Sequence, residues 1–90
     1  MAVRVYVRQG CAYSAGAKRL LEENGIAFEE IDVTAHPERR EELERLAGGK
    51  ATFPQIFFGD RHVGGYSELQ ELDRTSGLRG AVNDAGAGDG

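Results

Sequence analysis

The sequence predicts an α/β domain built on a mixed four-stranded sheet with helices on both faces, and three observations lead there. Apolar residues at strand spacing in positions 2–7 and 26–33 bracket a stretch with helical spacing, which is the pattern of a strand-helix-strand unit. A second helical stretch follows, and after it an apolar run is turned back at Gly59-Asp60, a hairpin signal. Finally, the chain has 90 residues, room for one compact core.

Each element has its own local cause. In AVRVYV, residues 2–7, Val3, Val5 and Val7 fall on one face and Arg4 and Tyr6 on the other, so the segment reads as a strand. Gln9-Gly10 breaks it, and Ala17, Leu20 and Leu21 then recur at helical spacing between Tyr13 and Asn24, with Gly25 as a C-terminal stop. Residues 26–33, IAFEEIDV, read as a second strand, parallel to the first, since a crossover helix lies between them. Pro37 suits the first turn of the next helix, Glu38, Glu41 and Glu42 favour its positive end, Leu43 and Leu46 are expected to face inward, and Gly48-Gly49 ends it. Pro54 opens the run QIFF, and RHV returns antiparallel to it. Beyond Gly64-Gly65, Ser67 is the candidate cap of a helix carrying Leu69 and Leu72, and a short helical piece runs from Leu78 to Val82. The domain is expected to occupy residues 1–83, with 84–90, DAGAGDG, as a tail without fixed structure.

Composition narrows the partners. A net charge of −4 argues against a general nucleic-acid binder, because phosphate affinity comes from clustered basic residues on a basic surface. No apolar run approaches the roughly 20 residues that span a bilayer, and the opening segment lacks the apolar stretch of a secretion signal, so a soluble, cytoplasmic protein without membrane contact is expected. His36 and His62 stand isolated and are expected at the surface, and no metal-ligand spacing occurs within the chain. A single cysteine permits no internal disulfide. Such a thiol is either buried filler or a reactive group.

Its surroundings favour reaction. In GCAYSAGAKRLL, Cys11 lies just before the first turn of a helix, where free N–H groups and the helix dipole stabilise an anion. The thiolate is the form that attacks a disulfide, and cysteine pKa values at such positions fall from about 8.5 to roughly 3.5–7.5. Arg8 can add positive charge at the strand end or hold a substrate carboxylate, Ser14 can donate to the thiolate or act as a cap, and Tyr13 can shield the sulfur, contact a bound peptide or simply pack. Lys18 and Arg19 sit further along the helix and are expected to be solvated.

The segments CAYS, TFPQIFF and HVGGYSEL, in that order, resemble glutaredoxins, and the resemblance runs from about residue 2 to residue 83. It implies a thioredoxin-like fold, a glutathione-dependent thiol-disulfide oxidoreductase with Cys11 as its nucleophile, and glutathione as co-substrate. It also implies a cis bond before Pro54, and a groove at Thr52, Phe53 and Pro54 in which the Phe53 backbone pairs with the cysteinyl part of glutathione by strand addition. Gly65, Tyr66 and Ser67 would form the helix N-terminus that receives the γ-glutamyl carboxylate, while Arg8 and Arg40 would reach the glycine carboxylate.

The departures from the family pattern point to mechanism. Where the family commonly has Cys-Pro-Tyr-Cys, this chain has Ala12 and Ser14 at the second and fourth positions. Without the resolving thiol the one-cysteine route remains: Cys11 takes the glutathionyl group from a protein or small mixed disulfide, and a second glutathione releases it. The Cys-Gly-Phe-Ser branch usually has extra residues between its basic residue and its cysteine, whereas only Gln9 and Gly10 intervene here, which favours the catalytic class. Two other functions remain open. One is carriage of a [2Fe–2S] cluster bridging a dimer through two Cys11 and two glutathione thiolates, the chain otherwise being a monomer. The other is a redox-inert glutathione-binding module.

Overall fold

The computed structural model describes residues 2–49 and 51–86. Along the chain come β1 (Val3–Val7), α1 (Ala12–Glu23), β2 (Glu29–Asp32), α2 (Glu38–Ala47), β3 (Gln55–Phe58), β4 (Arg61–Gly64), α3 (Tyr66–Thr75) and α4 (Leu78–Asp84). The sheet order is β2-β1-β3-β4, with β1 and β2 parallel and both β1-β3 and β3-β4 antiparallel. This is the expected mixed sheet in a thioredoxin-like fold.

Its two faces bury separate cores. Val3, Val5 and Val7 pack with Ile56 and Phe58 against Ala17 and Leu21 of α1, Leu69 of α3, and Leu78 and Val82 of α4. On the opposite face Tyr6, Ile31, Val33 and Phe57 pack under Leu43 of α2. Period-two alternation therefore sends side chains of one strand into two cores, which is why Tyr6 is as buried as its valine neighbours.

Several boundaries differ from the sequence reading. β2 begins at Glu29, because the Ile26 N–H donates to Leu21 O and the Gly25 N–H to Glu22 O, a paired closure of α1 that uses the backbone a strand would need. Leu46 is 45% exposed, contrary to its expected inward placement. The inner stripe of α2 runs instead from Leu43 to Ala47, a spacing of four that matches the helical repeat. α3 starts before Ser67: Gly65 is its N-cap in extended backbone, and the Glu68 carboxylate accepts the Gly65 N–H at 2.7 Å. α4 takes in Asp84, and Ala85 and Gly86 still donate to Ala81 O and Asn83 O, so ordered backbone reaches past the expected start of the tail. Positions 87–90 of that tail lie outside the described residues.

Candidate functional site

The C-terminal end of β1, the start of α1 and the approach to β3 converge on Cys11. Gly10, at φ 78°, bends the chain out of the strand, and Cys11 then takes the N-cap position of α1 in extended backbone, leaving its side chain beside the free amides of the first turn. The thiol is half-buried. Its Sγ–H donates to the carbonyl oxygen of Phe53 at 3.7 Å, so the sulfur faces the segment before Pro54. The Phe53-Pro54 bond is cis, and Pro54 is buried.

The Ser14 hydroxyl and the Ser14 amide, followed by the Tyr13 amide and the Arg8 charge, hold the Cys11 thiol below its ordinary range against the opposing effect of partial burial. Ser14 is 3% exposed and its Oγ has no hydrogen-bond partner. The two facts fit together. While the sulfur keeps its proton, that proton is directed at Phe53 and the thiol sulfur is only a weak acceptor for the hydroxyl. The ionised sulfur supplies the missing acceptor, which explains why the hydroxyl leads the effects.

Around the sulfur the predicted residues take distinct places. The guanidinium groups of Arg8 and Arg40 both stand over the Phe53 ring, 5.8 and 5.9 Å from its centroid, so the segment after β1 and helix α2 each bring a cation to that ring. Arg40 also pairs with Glu44 at 3.7 Å. Thr52 is exposed and its Oγ1 accepts a hydrogen bond from Gln55 Nε2 at 3.3 Å. Tyr13, 65% exposed, leans on Tyr66 with ring centroids 6.0 Å apart. Gly65 sits close to Pro54, since a Cβ there would meet the Pro54 carbonyl oxygen at 3.4 Å, and this brings the start of α3 to the same region. Ser67 is exposed in the first turn of α3.

Four features at or near the site escaped the sequence reading. Gly16 makes room for Tyr66, whose ring would lie 3.1 Å from a Cβ at that position. The Glu68 side chain already occupies one donor of the α3 N-terminus. Lys18, expected to be solvated, pairs with Glu30 at 3.0 Å. The histidines are exposed, as expected, but each has a neighbour the sequence did not announce: His36 lies 3.6 Å from Glu38, and His62 stacks on Phe57 and hydrogen-bonds Gln55. Only the glycine had a visible sequence signal, as the one interruption of the α1 helical pattern.

A cavity of about 390 Å³ adjoins the thiol, bounded by Arg8, Gly10, Cys11, Ser14, Lys18 and Asp32. Another of about 410 Å³ lies at the other end of β1 among Val3, Ile26, Phe28 and Val82, and neither a thiol nor a hydroxyl lines it. Among the described residues no group of three His, Cys, Asp or Glu side chains is placed to hold a metal ion. No helix among them is long and apolar enough to cross a membrane.

Comparison with known proteins gives consistent matches. A family model described as Glutaredoxin matches residues 3–63. The chain is 43% identical over 82 residues to a glutaredoxin of Neisseria meningitidis serogroup B, covering 90% of this chain and 95% of that one. It is 37% identical over 76 residues to glutaredoxin 3 of Escherichia coli K12, covering 84% and 90%. The solution structure of a glutaredoxin from Brucella melitensis superposes with a TM-score of 0.71 at 43% identity, covering 93% of this chain and 86% of that one.

Proposed function

This chain belongs to the glutaredoxin family and has its thiol-disulfide oxidoreductase role, and from that premise we propose that it reduces glutathione mixed disulfides by a one-cysteine route through Cys11. The observation that carries the proposal is the Cys11 sulfur at a helix N-terminus, facing the Phe53 carbonyl at 3.7 Å.

The Cys11 thiolate attacks the glutathionyl sulfur of a mixed disulfide; a Cys11–glutathione disulfide forms, the old S–S bond breaks, and the substrate thiolate leaves and takes a proton from water. A second glutathione thiolate then attacks the glutathionyl sulfur. Oxidised glutathione departs and the Cys11 thiolate is restored. With one cysteine in the chain, no internal thiol competes for the intermediate.

Glutathione has chemistry to match each part of the groove. Ionisation of Cys11 removes the S–H that occupies Phe53 O, and frees that carbonyl to accept the cysteinyl N–H of the tripeptide, a one-residue strand addition. The free amides of Tyr66 and Ser67, beside Gly65, suit the γ-glutamyl carboxylate. Arg8 and Arg40 suit the glycine carboxylate, Thr52 and Pro54 border the bound backbone, and exposed Tyr13 covers the sulfur side.

The test is turnover of a glutathionylated peptide with glutathione and its reductase, for this chain beside Cys11→Ser. Turnover should be abolished in the variant, and equal rates end the proposal. Anaerobic incubation with iron, sulfide and glutathione separates it from cluster carriage, since a coloured dimer lacking turnover supports the carrier.

A further inference from the structure

Beside the Phe53-Pro54 segment runs a chain of hydrogen bonds that the reaction above does not use. Gln55 is 7% exposed, yet both ends of its amide are engaged: Oε1 lies 2.6 Å from His62 Nε2, and Nε2 donates to Thr52 Oγ1 at 3.3 Å. The His62 ring lies flat on Phe57, centroids 4.6 Å apart at 16°, so it is held in place for its contact.

The orientation of the Gln55 amide sets the polarity of this chain. A carbonyl oxygen cannot donate, so His62 Nε2 carries the proton and donates to Gln55 Oε1. With Oε1 turned to His62, the amide presents its Nε2, a donor, to Thr52. Thr52 Oγ1 is consequently used as an acceptor, which leaves its O–H free to donate to another group beside Phe53. Were the amide reversed, Oε1 would capture the Thr52 proton and the hydroxyl would present only lone pairs.

We infer that His62 is a positioning residue for the substrate groove: through Gln55 it holds the Thr52 hydroxyl as a donor toward a backbone carbonyl or carboxylate of the bound peptide. The inference rests on the glutathione reading of that groove. It assigns His62 no contact with substrate and no part in the chemistry at sulfur.

Two substitutions separate its parts. His62→Phe keeps the flat ring on Phe57 and deletes the donor, so Gln55 is free to reverse. His62→Gln deletes the ring but places an amide N–H at about the reach of Nε2. KM for a glutathionylated peptide should rise about threefold to tenfold in His62→Phe, the effect of one misdirected hydrogen bond. It should return close to the starting value in His62→Gln, while kcat and the pH profile of Cys11 alkylation stay unchanged in both. In a Thr52→Val background, His62→Phe should have no further effect, because the two substitutions act on one hydroxyl. An unchanged KM in His62→Phe, a parallel fall in kcat, no rescue by His62→Gln, or independent effects in the double variant would each overturn the inference. The starting enzyme tests the underlying reading separately: equal turnover of cysteinyl and glutathionyl disulfides would sink glutathione selectivity, whatever the variants show.

Discussion

At Cys11 the sulfur has two partners that alternate with its charge. As a thiol it donates to Phe53 O, and as a thiolate it accepts from the otherwise unpartnered Ser14 hydroxyl and from the first amides of α1. Alkylation of Cys11 should therefore show a midpoint below that of an ordinary thiol, with the rate rising as pH climbs through it and flat above. Ser14→Ala should move the midpoint upward and slow alkylation at neutral pH. At alkaline pH its rate should equal or exceed that of the starting protein, because a more basic thiolate is the stronger nucleophile. A superimposable profile would remove the hydroxyl from the argument. The position of Cys11 was legible because strand, glycine and helix signals are local and the thiol falls between them. The Gln55-His62 contact was not. It is a diagonal contact across the β3-β4 pair, Phe57 standing opposite His62, and no spacing within one strand announces which side chains meet across two.

Among the elements, α3 and α4 make opposite uses of glycine. Gly64 closes β4 at φ 119°, a conformation that L side chains rarely adopt, and a Cβ there would stand 2.8 Å from Glu68 Oε1, the atom that accepts the Gly65 N–H. Gly64→Ala should destabilise the domain by about 1–3 kcal/mol and disturb the start of α3. Gly80 lies inside α4 with nothing within 4 Å of a Cβ, so Gly80→Ala should stabilise by about 0.5–1 kcal/mol, an increase of several degrees in Tm. Thermal unfolding of the pair checks both signs, and a loss of stability in Gly80→Ala would show that α4 is held by something other than its helical backbone. Element identity was readable where one periodicity ruled, as in β1 and the Gly59-Asp60 hairpin. It was misread at Ile26 and Ser67, where the deciding interactions are a backbone closure with Leu21 and a carboxylate from Glu68. Apolar spacing is blind to both.

In the molecule as a whole, α2 is the least anchored layer. Among the described residues it is the one helix on its face of the sheet, and Leu43 is its one fully buried side chain, yet it must place Arg40 over Phe53. A polar tie compensates: the Tyr6 hydroxyl, rising from the sheet, donates to Glu42 Oε2 at 2.5 Å, and Arg39 closes on the same oxygen at 3.0 Å. The Tyr6 hydroxyl and the Arg39 guanidinium hold the Glu42 carboxyl below its ordinary range despite the opposing effect of burial, while burial and the bond to Glu42 push the Tyr6 phenol up. The signs of the two shifts set a window. A carboxylate depressed in the folded state adds stability that is present at neutral pH and lost as pH falls through the carboxylate range. A phenol raised in the folded state adds stability that is present below about pH 10 and lost as pH rises through its folded value. Urea midpoints of the starting protein should accordingly fall away on both the acid and the alkaline side of neutrality. Tyr6→Phe should lower the neutral-pH stability by about 1–2 kcal/mol, since Arg39 still partners the carboxylate, and should flatten both flanks. It should also raise KM for a glutathionylated peptide without changing the Cys11 alkylation profile, because α2 carries Arg40 but nothing that touches the sulfur. A variant whose stability tracks the starting protein in parallel at every pH would show that the tie does not hold α2 to the sheet, and the placement of Arg40 would then rest on Leu43 and Ala47 alone.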